Sequence, residues 1–93
     1  MSEKEFQAQV LELARLCGWR VYHTHDSRRS AAGFPDLVLV KKQSLLFAEL
    51  KTDTRDTTPE QQVWLEDLRA AGQEVHIWRP GNWATIQERL MQP

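Results

Sequence analysis

The chain has 93 residues, 41% of them hydrophobic, a single cysteine and a net charge of −1. That is enough for one compact domain over 1–93 and too little for two, and so small a unit would gain from pairing with a second copy. Cys17 alone excludes an intramolecular disulfide and fits a reducing cytosol, no apolar run approaches the roughly 18 residues of a membrane-spanning helix, and Ser2-Glu3-Lys4-Glu5 is the wrong chemistry for a secretory signal.

Phe6, Val10, Leu13, Ala14 and Cys17 recur at helical spacing, which predicts a helix from Ser2 to Cys17 that Gly18 stops. Ser2 is its cap, and Glu5, three residues on, completes a capping box. Trp19 to His23 is β-prone and reads as a first strand; His25 to Pro35, polar and containing Gly33, reads as a loop. Asp36 to Val40 and Leu45 to Lys51 are strand-like runs around Lys41-Lys42-Gln43-Ser44. Both are apolar at nearly every position, which predicts a hairpin covered on both faces. After the polar stretch Thr52 to Thr57, Thr58-Pro59-Glu60-Gln61 announces a second helix with a capping threonine, a first-turn proline and a glutamine at the capping-box position. Its apolar stripe is Trp64, Leu65 and Leu68, and Gly72 ends it. Val75 and Ile77 belong to a fourth strand, and Asn82 caps a last helix that turns Trp83, Ile86 and Leu90 inward. The order αβββαβα predicts an α/β sandwich with a mixed sheet flanked by helices. The four tryptophans, Trp19, Trp64, Trp78 and Trp83, read as core or subunit interface before they read as stacking platforms for bases.

The chemistry comes from the hairpin. A turn symmetric about Lys42-Gln43 sets Val40 opposite Leu45, Val38 opposite Phe47 and Asp36 opposite Glu49. Lys51, two residues beyond Glu49, shares its face. Opposed side chains lie about 4.5–5.5 Å apart at Cβ, where two carboxylates repel unless a cation or a proton stands between them. Mg²⁺ suits such a pair, because it takes oxygen ligands from one or two carboxylates together with water and phosphate. A lysine beside the ion can orient or deprotonate the attacking water and offset charge on the scissile phosphate. Each residue alone is more readily a surface feature, with Asp36 capping a turn after Pro35 and Glu49 pairing with Lys51 in solvent. The ordered combination at one end of an apolar hairpin is not explained that way.

Pro35-Asp36 and Glu49-Leu50-Lys51 together resemble the motif of the PD-(D/E)xK nuclease superfamily. A tighter resemblance is to the VRR-NUC family, the virus-type replication-repair nuclease domain. It covers nearly the whole chain: the acidic first helix, Gly18-Trp19, Gly33-Phe34-Pro35-Asp36, Phe47-Ala48-Glu49-Leu50-Lys51 and Thr58-Pro59-Glu60-Gln61. The resemblance implies a restriction-endonuclease-like αβββαβα core and hydrolysis of DNA phosphodiesters with Mg²⁺ or Mn²⁺. Asp36, Glu49 and the Leu50 carbonyl would hold the metal, and Lys51 would position the water. It also implies an acidic ligand on the first helix. Glu3 is the better candidate because it projects with Val10 and Ala14, whereas Glu5 points away; both also suit a helix N-terminus. Gln61 falls where the family has a catalytic-site glutamine, and it competes with itself for the capping box, since one side chain does not easily do both.

His23, His25, Asp26, Ser27, Arg28 and Arg29 form a polar stretch just before the motif. His25, Ser27 and above all Arg28 and Arg29 are the candidate DNA contacts, arginine being suited to a two-pronged grip on phosphate. The histidine spacing matches no structural zinc site. A charge of −1 is low for a protein that holds phosphates, but Arg20, Arg28, Arg29, Lys41 and Lys42 fall in the first half of the chain, around the predicted site. Small stand-alone members of the family resemble Holliday-junction resolvases of bacteria or phages that act as homodimers. The expectation is therefore a cytoplasmic, homodimeric endodeoxyribonuclease acting on branched DNA such as a four-way junction. The rivals are a flap or nicking nuclease, a nuclease subunit of a larger assembly, and a non-catalytic DNA-binding module, the last disfavoured because Asp36, Glu49 and Lys51 are all present.

Overall fold

Helix α1 (Glu3–Leu16) forms where the apolar spacing predicts it, in a computed structural model that describes residues 1–24 and 31–93. Its capping box is made as expected: Ser2 Oγ accepts the Glu5 N–H at 3.1 Å and Glu5 Oε1 accepts the Ser2 N–H at 3.2 Å. Then follow β1 (Arg20–His23), β2 (Leu37–Lys41), β3 (Ser44–Leu50), α2 (Pro59–Ala70), β4 (Glu74–Trp78), a 3₁₀ turn (Pro80–Asn82) and α3 (Trp83–Leu90). The sheet order is β1-β2-β3-β4, antiparallel except for the parallel β3–β4 pair that α2 connects. This is the expected mixed α/β architecture. Among the described residues no helix is long and apolar enough to cross a membrane.

Alternation along the strands divides the sheet into two unlike faces. Leu37, Leu39, Leu46, Ala48 and Leu50 point to one side, where Phe6, Val10, Leu11 and Ala14 of α1 and Ile86 and Leu90 of α3 bury them in one cluster. Trp19 closes its edge and donates its indole N–H to the Leu90 carbonyl at 2.9 Å. Trp19 is therefore core rather than strand, and Trp78 is core as well. Arg89 ties α3 to β4 through two bonds to the Glu74 carboxylate, at 2.6 and 2.9 Å, and this pairing holds Glu74 down at about 2.

The opposite face differs from expectation. Only part of it is covered: Phe34 packs edge-on between Phe47 and Trp64, and Leu65 of α2 is buried there. Val40 and Leu45, at the turn end of the hairpin, remain 42% and 39% exposed, because one twelve-residue helix does not span four strands. Asn82 also departs from its predicted role. Its side chain turns back to accept the Arg79 N–H at 3.0 Å and so braces the 3₁₀ turn instead of capping α3.

One glycine is required by close approach. Gly33 has φ +86°, and a β-carbon there would fall 2.4 Å from the Glu60 carbonyl carbon and 2.7 Å from the Gln61 nitrogen, both backbone. The loop entering β2 therefore rests directly on the first turn of α2. Gly72 has the same φ, but a β-carbon added there would meet nothing within 4 Å. Gly72→Ala should cost about 1–2 kcal/mol from backbone strain alone, and Gly33→Ala at least about 3 kcal/mol, since α2 must also shift. Urea unfolding of the two variants checks this, and equal losses would contradict the contact.

Candidate active site

Both halves of the motif arrive together because the hairpin has the expected register. Val40 pairs with Leu45, Val38 with Phe47 and Leu37 with Ala48, so the same alternation carries Asp36 and Glu49 to the face that α2 partly covers. Asp36 and Lys51 each lie one residue outside the strands in which the sequence reading places them. The Asp36 carbonyl accepts the Thr24 N–H at 3.0 Å on the β1 side; toward β3 its Oδ2 accepts the Leu50 N–H at 2.8 Å, extending the pairing through a side chain.

Glu49 is 1% exposed. Its Oε2 accepts the Gln61 amide N–H at 2.7 Å and lies 3.7 Å from Lys51 Nζ, itself a buried lysine. Its Oε1 is buried with no hydrogen-bond partner. Burial first, and the Asp36 charge second, push the Glu49 carboxyl up to about 8, against the pull of Lys51. Burial also raises Asp36, opposed by the Leu50 N–H and assisted by the charge of Glu3. Glu3 thus acts on Asp36 from the start of α1. Glu5 is fully exposed and occupied with its capping box.

Gln61 resolves a conflict that sequence reasoning posed. Its Oε1 accepts the Thr58 N–H at 2.9 Å, closing the capping box, while its Nε2 donates to Glu49. A primary amide has an acceptor and a donor on opposite arms, so the cap and the site contact are compatible.

The donor set suits a hard cation. An acceptor oxygen buried without a donor is costly unless a proton or a metal meets it, and Glu49 Oε1 faces that condition beside a second carboxyl. The Leu50 carbonyl belongs on the same side: within a strand, a residue's N–H and C=O project the same way, and the Leu50 N–H is directed to Asp36. Among the described residues no group of three or more His, Cys, Asp or Glu side chains converges closely enough to hold an ion, so backbone and water oxygens would complete any shell.

The proposed DNA contacts His25, Ser27, Arg28 and Arg29 lie outside the described residues. The other basic residues do not surround the site. Arg20 pairs with Val40, Lys41 with Ser44, and Lys42, at φ +55°, sits in the turn. The length of β2 separates all three from Asp36 by about 15 Å. Lys41 reaches the Gln92 carbonyl at 3.1 Å on the opposite side of the sheet. What sequence reasoning missed is Arg79, which reaches the loop that follows Lys51; the only signal was the Arg-Pro step that ends the fourth strand.

The raised Glu49 carboxyl has a stability signature. With a folded value near 8 and an ordinary value of 4.5, the folded state keeps a proton that the unfolded chain releases. Stability is then full below about pH 4.5 and falls as pH rises through about 8. In metal-free buffer the melting temperature should decline across that window, and Glu49→Gln should flatten the decline. An unchanged slope in the variant would refute the account.

The VRR-NUC domain family matches residues 2–79. No protein of curated function matches the chain in sequence. Among solved structures, a VRR-NUC domain protein superposes with a TM-score of 0.78 at 20% identity, over 98% of this chain and 88% of that one. Hjc of Archaeoglobus fulgidus, a Holliday junction resolvase from an archaeal hyperthermophile, superposes with a TM-score of 0.59 at 20% identity, over 82% of this chain and 67% of its own. These likenesses establish the fold. With 78 of its residues covered by the family pattern, Asp36, Glu49 and Lys51 among them, the chain belongs to the VRR-NUC nuclease domain family.

Proposed function

We propose that this protein is a divalent-metal-dependent, structure-selective DNA endonuclease that resolves four-way junctions as a homodimer. The observation that carries the reading is the buried Glu49 carboxyl, with one oxygen held by Gln61 and Lys51 and the other unpartnered beside Asp36. Asp36, Glu49 and the Leu50 carbonyl would hold Mg²⁺ or Mn²⁺, with Glu3 adding charge from α1. The ion supplies Lewis acidity and an activated water when bound.

The chain's own groups set up the rest. Leu50 N–H holds one Asp36 oxygen, and the Asp36 carboxyl also faces that of Glu49. Gln61 fixes the rotamer of Glu49 from the first turn of α2. Lys51, next to Glu49, orients the nucleophilic water and stabilises the charge that develops on the phosphate. Arg28 and Arg29 grip the DNA backbone. A four-way junction offers two equivalent strands, which two sites related by a two-fold axis would cut symmetrically. The likeness to Hjc supports this choice of substrate.

Cleavage of labelled junction, flap and linear duplex with Mn²⁺ tests the reading. Lys51→Ala should lower kcat on the order of 10²-fold or more while DNA binding persists. Equal cutting by variant and wild type would remove Lys51 from the mechanism, and asymmetric cutting by a monomer would reject the resolvase assignment. Separately, Mn²⁺ should raise the melting temperature of the wild type and not of Asp36→Asn. Equal stabilisation of both would place the metal elsewhere.

A further inference from the structure

The polar loop 52–57 joins the two parts of the site, leaving Lys51 and ending at Thr58, the cap of α2. Asp53, Thr54, Arg55 and Asp56 are exposed, so burial does little to hold it. The ladder between β3 and β4 runs out just before it. The Lys51 N–H donates to the Trp78 carbonyl at 3.0 Å. In a parallel pair the next rung would come from the N–H of residue 80, and Pro80 has none.

Beyond that point the Arg79 side chain takes over as donor to the loop. Its Nη1 donates to the Thr52 carbonyl and to the Arg55 carbonyl, each at 2.6 Å. Its Nη2 stands 3.8 Å from Asp56, whose side chain is fully exposed and adds little. Next to it, the Gly81 N–H reaches Asp53 Oδ1 at 3.4 Å. Charge-assisted bonds to two carbonyls three residues apart close the loop into a fixed arc. Both bonds leave the same nitrogen, and the rigid guanidinium plane fixes their directions; a lysine ammonium has donors enough but ends a shorter, freely rotating stem.

We infer that Arg79 is a positioning residue of the active site. By clamping Thr52 and Arg55 it fixes the departure of the chain from Leu50-Lys51, and with it the Leu50 carbonyl and Lys51 Nζ. It also fixes the span to α2 that carries Gln61 to Glu49. The inference rests on the nuclease reading for its consequence in catalysis, while the clamp itself is testable without any cleavage. Arg79 acts through the loop, since both donors of Nη1 are committed to backbone oxygens.

The test compares Arg79→Met and Arg79→Lys with the wild type by amide hydrogen exchange and by cleavage kinetics. Exchange should accelerate over 51–57 in both variants and stay unchanged in α1 and β2. Where the wild type cuts, kcat should fall on the order of 10- to 100-fold in both variants, with KM for DNA unchanged. Wild-type exchange over 51–57 in Arg79→Met would overturn the clamp. So would acceleration spread evenly over the whole chain, which marks a general stability role. Raised KM, a shallower salt dependence and full rescue by Arg79→Lys would instead make Arg79 a phosphate contact. If the wild type cuts no DNA, the nuclease reading fails while the exchange result still decides the clamp; if Arg79→Met does not fold, Arg79→Lys carries the comparison.

Discussion

The pairing of β2 with β3 is the constraint on which the rest of the molecule depends. Because side chains alternate, one register decides both what enters the core and what forms the site. Leu37, Leu39, Leu46 and Leu50 are fully buried on one face, each worth roughly 1.5–3 kcal/mol. Slipping β3 by one residue against β2 would turn Leu46 and Leu50 outward, leave Leu37 and Leu39 in place, and drive Glu49 in among α1 and α3. The burial of those two leucines outweighs the cost of desolvating one carboxyl on the other face. Hydrophobic packing thus enforces the opposition of Asp36 and Glu49, which by itself is unfavourable.

The same arrangement bears on the charge balance. A net charge of −1 counts every carboxylate as ionised. Burial and the Asp36 charge push the Glu49 carboxyl up, toward its neutral form, so this carboxyl adds less negative charge than the formal count assigns it. The acidic tally therefore overstates what an approaching phosphate meets.

Much of this was legible from residue order alone. Period-two alternation set the hairpin register, and the Ser2/Glu5 and Thr58/Gln61 boxes marked both helix starts. What escaped has physical reasons. Gln61 looked overcommitted because a side chain was counted as one contact, whereas an amide has two arms. Lys41 and Lys42 looked close to the motif because they are near it in number, but an antiparallel hairpin carries its turn away from its open end. Val40 and Leu45 looked buried because apolar strands suggest two covers, and the covering helix is short. Arg79 carried no visible signal beyond its place before a proline, since its role depends on where a parallel ladder stops, which only the pairing of β3 with β4 defines.

The family pattern ends at Arg79, and the hydrophobic core does not. Ile86 and Leu90 sit in the same cluster as Leu37 and Leu46, and the Trp19 indole is satisfied by the Leu90 carbonyl. A domain boundary drawn at the edge of the recognisable signature would cut through the interior of the protein. It would keep every residue of the motif and uncover the leucines that hold the motif in register. In this chain the recognisable pattern stops short of the core that supports it.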